Sequence, residues 1–147
     1  MTQAVRIDCT TTVTPVELPA DDCHGAVRSI VGGAVNQAVY HRRALLHIYD
    51  SSTSEHPLNL AAWTLASAWR GMPLYPLHGT IVVTGRDESG EVCDLDDDLA
   101  QQVRAISAMV RETVQEWRRR PPASDEAAAQ ELLSYAAREI AATPAGG

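Results

Sequence analysis

The sequence predicts an α+β fold: a small, mostly antiparallel sheet of about five strands, helices packed on one face, and a long C-terminal helix followed by a shorter one. Three observations carry this. Ile81-Val82-Val83 is an unbroken β-branched run set between Gly79 and Gly85, the signature of a strand covered on both faces or nearly so. The polar stretch Asp87-Glu88-Ser89-Gly90 then turns the chain into a second short strand, with Gly90 free to take positive φ. Farther on, Leu99, Val103, Ile106, Val110 and Trp117 make one apolar stripe with near-heptad spacing, the mark of a long amphipathic helix.

The remaining elements follow in order. Residues 1–9 are expected to be irregular or a frayed strand. Residues 10–18 are rich in Thr and Val, and Pro15, which lacks an N–H, implies that this strand sits at an edge or ends near it. Asp21 or Asp22 caps a short helix that runs to Val31, where Gly32-Gly33 stops it through a left-handed C-terminal residue. Residues 34–40 and 44–49 read as a hairpin across the basic turn His41-Arg42-Arg43. A polar loop is expected at 50–57. A helix follows, capped by a loop residue or by Asn59, with Leu58, Ala62, Leu65 and Trp69 on one face; Gly71-Met72-Pro73 ends it.

Asp96-Asp97-Asp98 opens the long helix with the charge that complements its dipole, and Arg118-Arg119-Arg120 is expected in its last turn. Pro121-Pro122 terminates it, and Ser124 caps a final helix bearing Ala129, Leu132, Leu133, Ala136 and Ile140. The expected organisation is an irregular 1–9, a single α+β domain over 10–120, an appended helix over 121–142 and a disordered tail at 143–147.

Composition bounds the function classes. The chain has 147 residues, 45% hydrophobic and 21% charged, enough for one domain with its own core. Phe is absent, so Trp63, Trp69 and Trp117 are the large core pieces. A net charge of -7 disfavours direct binding to nucleic acid. Cys9, Cys23 and Cys93 are odd in number and form no Cys-x-x-Cys, which argues for a reducing compartment, and the absence of a signal-like or membrane-spanning stretch adds the expectation of a cytoplasmic protein.

Catalytic signatures are weak. His24, His41, His47, His56 and His78 show no ligand spacing, so no metal is expected. Cys93 or a serine with His47 or His78 would be the nucleophile–base pair, but no Gly-x-Ser-x-Gly elbow occurs. Gly32-Gly33 precedes a strand, whereas phosphate loops precede a helix. Asp94, Asp96, Asp97 and Asp98 lack the glycine and distal glutamate of a calcium loop, and helix capping accounts for them better. The two arginine clusters read as solvated charge.

Three local patterns then come together: Ile30-Val31-Gly32-Gly33 before a strand, Asn59-Leu60-Ala61-Ala62 opening a helix, and the hairpin from Gly79-Thr80-Ile81 to Glu88-Ser89-Gly90. In this order they resemble the family catalogued as domain of unknown function 3846, small proteins of phages, plasmids and bacterial genomes. The resemblance covers roughly residues 16–99. The chain departs from it at Asn36-Gln37, where relatives carry an acidic residue, and at Asp50-Ser51-Ser52-Thr53, where they show an acidic-glycine turn. It implies a compact α+β domain in an accessory or mobile-element setting, and no reaction or catalytic residue.

The expectation is therefore a non-enzymatic accessory domain, without cofactor, that binds a protein or sequesters a small ligand. The alternatives are an acidic mimic of nucleic acid that occupies a basic protein, and an unrecognised enzyme. A homodimer is expected too. A helix of about 22 residues spans about 33 Å, whereas a strand covers about 17–20 Å. The overhanging end would expose apolar surface, and Val110, Val114, Trp117, Leu133 and Ile140 are the expected interface; the competing account is that Pro121-Pro122 turns the last helix back onto the long one within a monomer.

Overall fold

Ile81, Val82 and Val83 are wholly buried, and the strand built on them is the middle of the sheet. The computed structural model describes residues 1–50 and 56–143. Along the chain these form β1 (Thr2–Ile7), β2 (Val13–Leu18), α1 (Cys23–Val31), β3 (Val35–His41), β4 (Ala44–Tyr49), α2 (Leu60–Arg70), β5 (Ile81–Arg86), β6 (Val92–Cys93), α3 (Asp97–Trp117) and α4 (Asp125–Ala142). The sheet order is β2-β1-β5-β4-β3, with β6 paired to the far end of β5 and every pairing antiparallel. The α+β class is thus the one the sequence predicts. The expected disorder at 143–147 and the body of the loop at 50–57 fall mostly outside the described residues, save that the Thr143 amide donates to the carbonyls of Glu139 and Ile140.

The strand period of two sends the β-branched run to both sides of the sheet. Ile81 and Val83 join Val5, Ile7, Leu46, Leu65, Leu99, Val103, Ile106 and Leu132 in the main core, under α2, α3 and α4. Val82 points the other way, onto Val27 and Val31 of α1, with Ala4 and Leu18. Helices therefore lie on both faces, where one covered face was expected. The continuous run at 81–83 already required this, because a strand covered on one side alone alternates apolar with polar residues.

Two expected boundaries also move. Residues 2–7 are not irregular: β1 lies between β2 and β5, with Ala4, Val5 and Ile7 buried. Edge pairing of β2 leaves Pro15 harmless, opposite Val5. The last helix is not an appendage either. Pro121-Pro122 turns the chain back, Ser124 Oγ accepts the Ala127 amide at 3.0 Å, and α4 puts Leu132 and Ala136 into the main core.

Helix ends are set by side chains that the sequence reading named. Asp22 accepts the Gly25 amide at 3.1 Å, and Gly32 closes α1 at φ 101°. Asp96, by contrast, makes no capping hydrogen bond to α3. Asp96 and Asp98 instead pair with Arg43 of the β3–β4 turn, Asp98 at 2.9 Å, so this arginine is committed to the start of α3 rather than solvated. The arginine run falls just past the last turn of α3, where Arg120 reaches Glu131 of α4 at 2.8 Å.

Candidate functional site

Asn59 is where the local chemistry of the site begins. It is wholly buried, its side-chain oxygen accepts the Ala62 amide at 3.1 Å, and its Nδ2 donates to the carbonyls of Ile7 at 3.0 Å and Gly79 at 2.9 Å. One side chain thereby caps α2 and fixes it to the end of β1 and the start of β5. The segment 71–80 has no repeating structure, yet it is tied down along its length. Trp63 Nε1 donates to the Leu74 carbonyl at 2.8 Å, the Leu74 amide donates to Ser67 Oγ at 3.2 Å, and the Asn59 amide donates to the Leu77 carbonyl at 2.8 Å.

Between this segment, the first turns of α2 and the start of α4 lies a groove of about 410 Å³. Trp63 and Trp117 wall it, with Leu60, Leu74 and Leu132 between them. Ala128 and Ala129 leave the space on the α4 side, and Asp125 is the one charged residue at its rim. Leu58 also lines the groove and is 45% exposed, so the apolar surface continues out to its mouth. The volume falls in the range of small-molecule sites, and a largely pre-formed apolar cleft with few polar groups is their usual form. Among the described residues the buried Trp117 indole N–H has no partner within hydrogen-bond geometry, although the indole helps Arg120 hold the Glu131 carboxyl below its usual range.

Four of the five residues expected at an inter-chain face, Val110, Trp117, Leu133 and Ile140, join one core within the chain. Val110 is wholly buried in the main core, which removes it from any interface. Trp117, Leu133 and Ile140 are partly buried against that same core, and Val114 is the exposed member at 36%. The fold-back of α4 covers the overhang on which the expectation rested.

The residues weighed for catalysis stay apart. His47 is 1% exposed, and its Nε2 lies 2.9 Å from Thr84 Oγ1. Burial, helped by the nearby His24, drops its pKa to about 4, so it is neutral at neutral pH. His78 Nδ1 lies 3.0 Å from the His56 carbonyl oxygen. The Cys93 thiol faces the Asp94 carbonyl at 3.7 Å, and burial with Asp87, Asp96 and Asp94 around it pushes its pKa up. Cys9 and Cys23 are pushed up as well, chiefly by burial. His41 stacks edge-on against Trp69, 5.1 Å between centroids, and accepts the Arg43 amide. Among the described residues no three His, Cys, Asp or Glu side chains converge as a metal-ligand set.

Sequence reasoning missed the groove because its walls come from α2, the 71–80 segment and α4. The available signal was compositional: Leu74 and Tyr75 between Pro73 and Pro76 in a stretch with no period, and the run of three alanines at 127–129. No family model, no curated protein and no solved structure matches the chain. The three motifs behind the resemblance all have structural work: Gly32 ends α1, Asn59 staples α2, and the hairpin is β5–β6. Among the described residues no helix is long and apolar enough to cross a membrane.

Proposed function

We propose that the chain is a non-enzymatic binding domain that takes a small, neutral, apolar molecule in the tryptophan-walled groove, in the accessory setting that the family resemblance implies. The observation that carries this is the groove itself: about 410 Å³, two indoles and an aliphatic floor, held open by backbone bonds to Trp63 and Ser67 rather than by a mobile loop. Three thiols pushed away from the thiolate and a buried neutral His47 weigh against a nucleophile and base. The acidic-mimic alternative is weighed down by ion pairing. Asp87, Glu88, Asp94 and Asp96 share a cavity with Arg42, Arg43 and Arg86, and Asp96 and Asp98 pair with Arg43.

Tryptophan fluorescence tests the reading, because two of the three indoles line the groove. A neutral probe, N-phenyl-1-naphthylamine, should quench it saturably. Ala129→Phe, which fills the groove, should abolish the effect while the melting temperature holds. A probe that never saturates, or one that binds the filled variant equally well, overturns the proposal.

A further inference from the structure

On the opposite face of the sheet, a second cavity of about 590 Å³ opens between α1 and the β3–β4 hairpin. Its polar lining is His24, Arg28, Gln37 and His47. Among the described residues no carboxylate lines it, in a chain with 19 acidic residues and a net charge of -7. His24 and Arg28 stand one helical turn apart on α1, so their side chains share a face. His47, nine-tenths buried and more, forms the floor. Its Nε2 is taken by Thr84, and no other described residue hydrogen-bonds the ring, which leaves Nδ1 without a partner. Placing a histidine and a threonine in the centre of a sheet face costs desolvation that two valines would not. The His47–Thr84 hydrogen bond offsets part of that cost, and a ligand group bonded to the ring would offset more.

We infer that this cavity is a binding site for a small organic carboxylate, with Arg28, His24 and Gln37 around the carboxylate group, the His47 ring beneath it, and Val27, Ala34 and Val35 against the apolar remainder. The guanidinium fork of Arg28 matches a planar carboxylate in two N–H···O bonds, which a spherical or fully hydrated anion uses less well. The three aliphatic walls give an attached hydrocarbon group a place out of water. The neutral state of His47 fits the same assignment: without an anion, a proton on that ring faces only burial and the neighbouring His24.

Benzoate is the probe, with inorganic phosphate as the comparison, both titrated at neutral pH and constant ionic strength. The ring signals of the five histidines are followed by NMR. Benzoate should shift the His24 and His47 signals saturably and leave those of His41, His56 and His78 in place. Arg28→Ala, an exposed position, should keep the melting temperature and weaken benzoate about tenfold or more. Gln37→Glu, also exposed, puts a carboxylate at the cavity and should abolish binding. Shifts that grow linearly, shifts spread over all five histidines, or undiminished binding to Arg28→Ala overturn the site. Phosphate binding as tight as benzoate overturns its assignment to an organic carboxylate. Since the two cavities lie on opposite faces, Ala129→Phe should leave benzoate binding untouched, so failure here is separable from failure of the groove.

Discussion

The side-chain amide of Asn59 donates to the carbonyl of Ile7, 52 residues earlier in the chain, at 3.0 Å. With the bond to Gly79, this ties both strands that flank the α2 start to one residue. Asn59→Ala loses the cap and leaves two buried carbonyls short of a donor, an expected cost of about 3 kcal/mol in denaturant unfolding. Asn59→Asp keeps an acceptor for the Ala62 amide but points a carboxylate at two carbonyl oxygens. At neutral pH it should be at least as damaging as alanine, and part of the loss should return in acid, where a protonated carboxyl can donate one bond.

Gly85 is needed for a different reason. A Cβ built there would sit 2.0 Å from the Asp94 carbonyl oxygen and 3.0 Å from that of Cys93, so the obstacle is backbone. The close approach is the β5–β6 pairing itself, Gly85 opposite Cys93. Gly85→Ala is expected to detach β6, at a cost of about 2–4 kcal/mol. Hydrogen exchange should quicken at residues 85–94 while amides at the β1–β5 pairing stay protected. Equal protection throughout would show that the hairpin shifts to accept a methyl group.

How much of this was legible in the sequence divides along physical lines. The β-branched run at 81–83, the hairpin at 35–49 and the caps at Gly32 and Ser124 are local and were readable from propensity or turn chemistry, whereas Asp22 and Asn59 were each one of two candidates that local chemistry could not separate. β1 was missed because Thr2-Gln3-Ala4-Val5-Arg6-Ile7 alternates weakly, and its strand identity comes from two partners far along the chain, β2 and β5. The Arg43 pair with Asp96 and Asp98 spans more than fifty residues and has no sequence period. The tryptophan groove and the α1 cavity are likewise spaces between elements, and spacing along the chain cannot announce them. The apolar stripe of α3 was read correctly, but what covers its far end is decided by the Pro121-Pro122 turn.

That turn yields a prediction about Trp117. Because the indole packs on the core that α4 shares, Trp117→Glu adds a carboxylate near Glu131 and Asp125, inside the chain's own helix packing. The expected result is selective loss of amide protection in α4, with the sheet unaffected. Should α4 stay protected while a dimer falls apart in sedimentation, the cover of α3 would be a second chain after all.

The last prediction concerns acid. His47 has a folded pKa of about 4 against an ordinary 6.5, lowered first by burial and then by His24. Between these values the unfolded chain binds a proton that the native state refuses. Stability must therefore rise with pH through this window. The contribution is fully present above about pH 6.5, declines as pH falls, and is spent near pH 4, at about 3 kcal/mol in total. Carboxylates titrate in part of the same range, so wild type alone cannot isolate the effect. His47→Gln can: glutamine keeps a polar group beside Thr84 and takes up no proton. The difference in urea midpoint between wild type and His47→Gln should favour wild type most at neutral pH and move towards the variant as pH drops from about 6.5 to about 4. A difference that stays flat across this range would mean that His47 is protonated inside the fold at no cost. Its burial under α1 would then not set its charge.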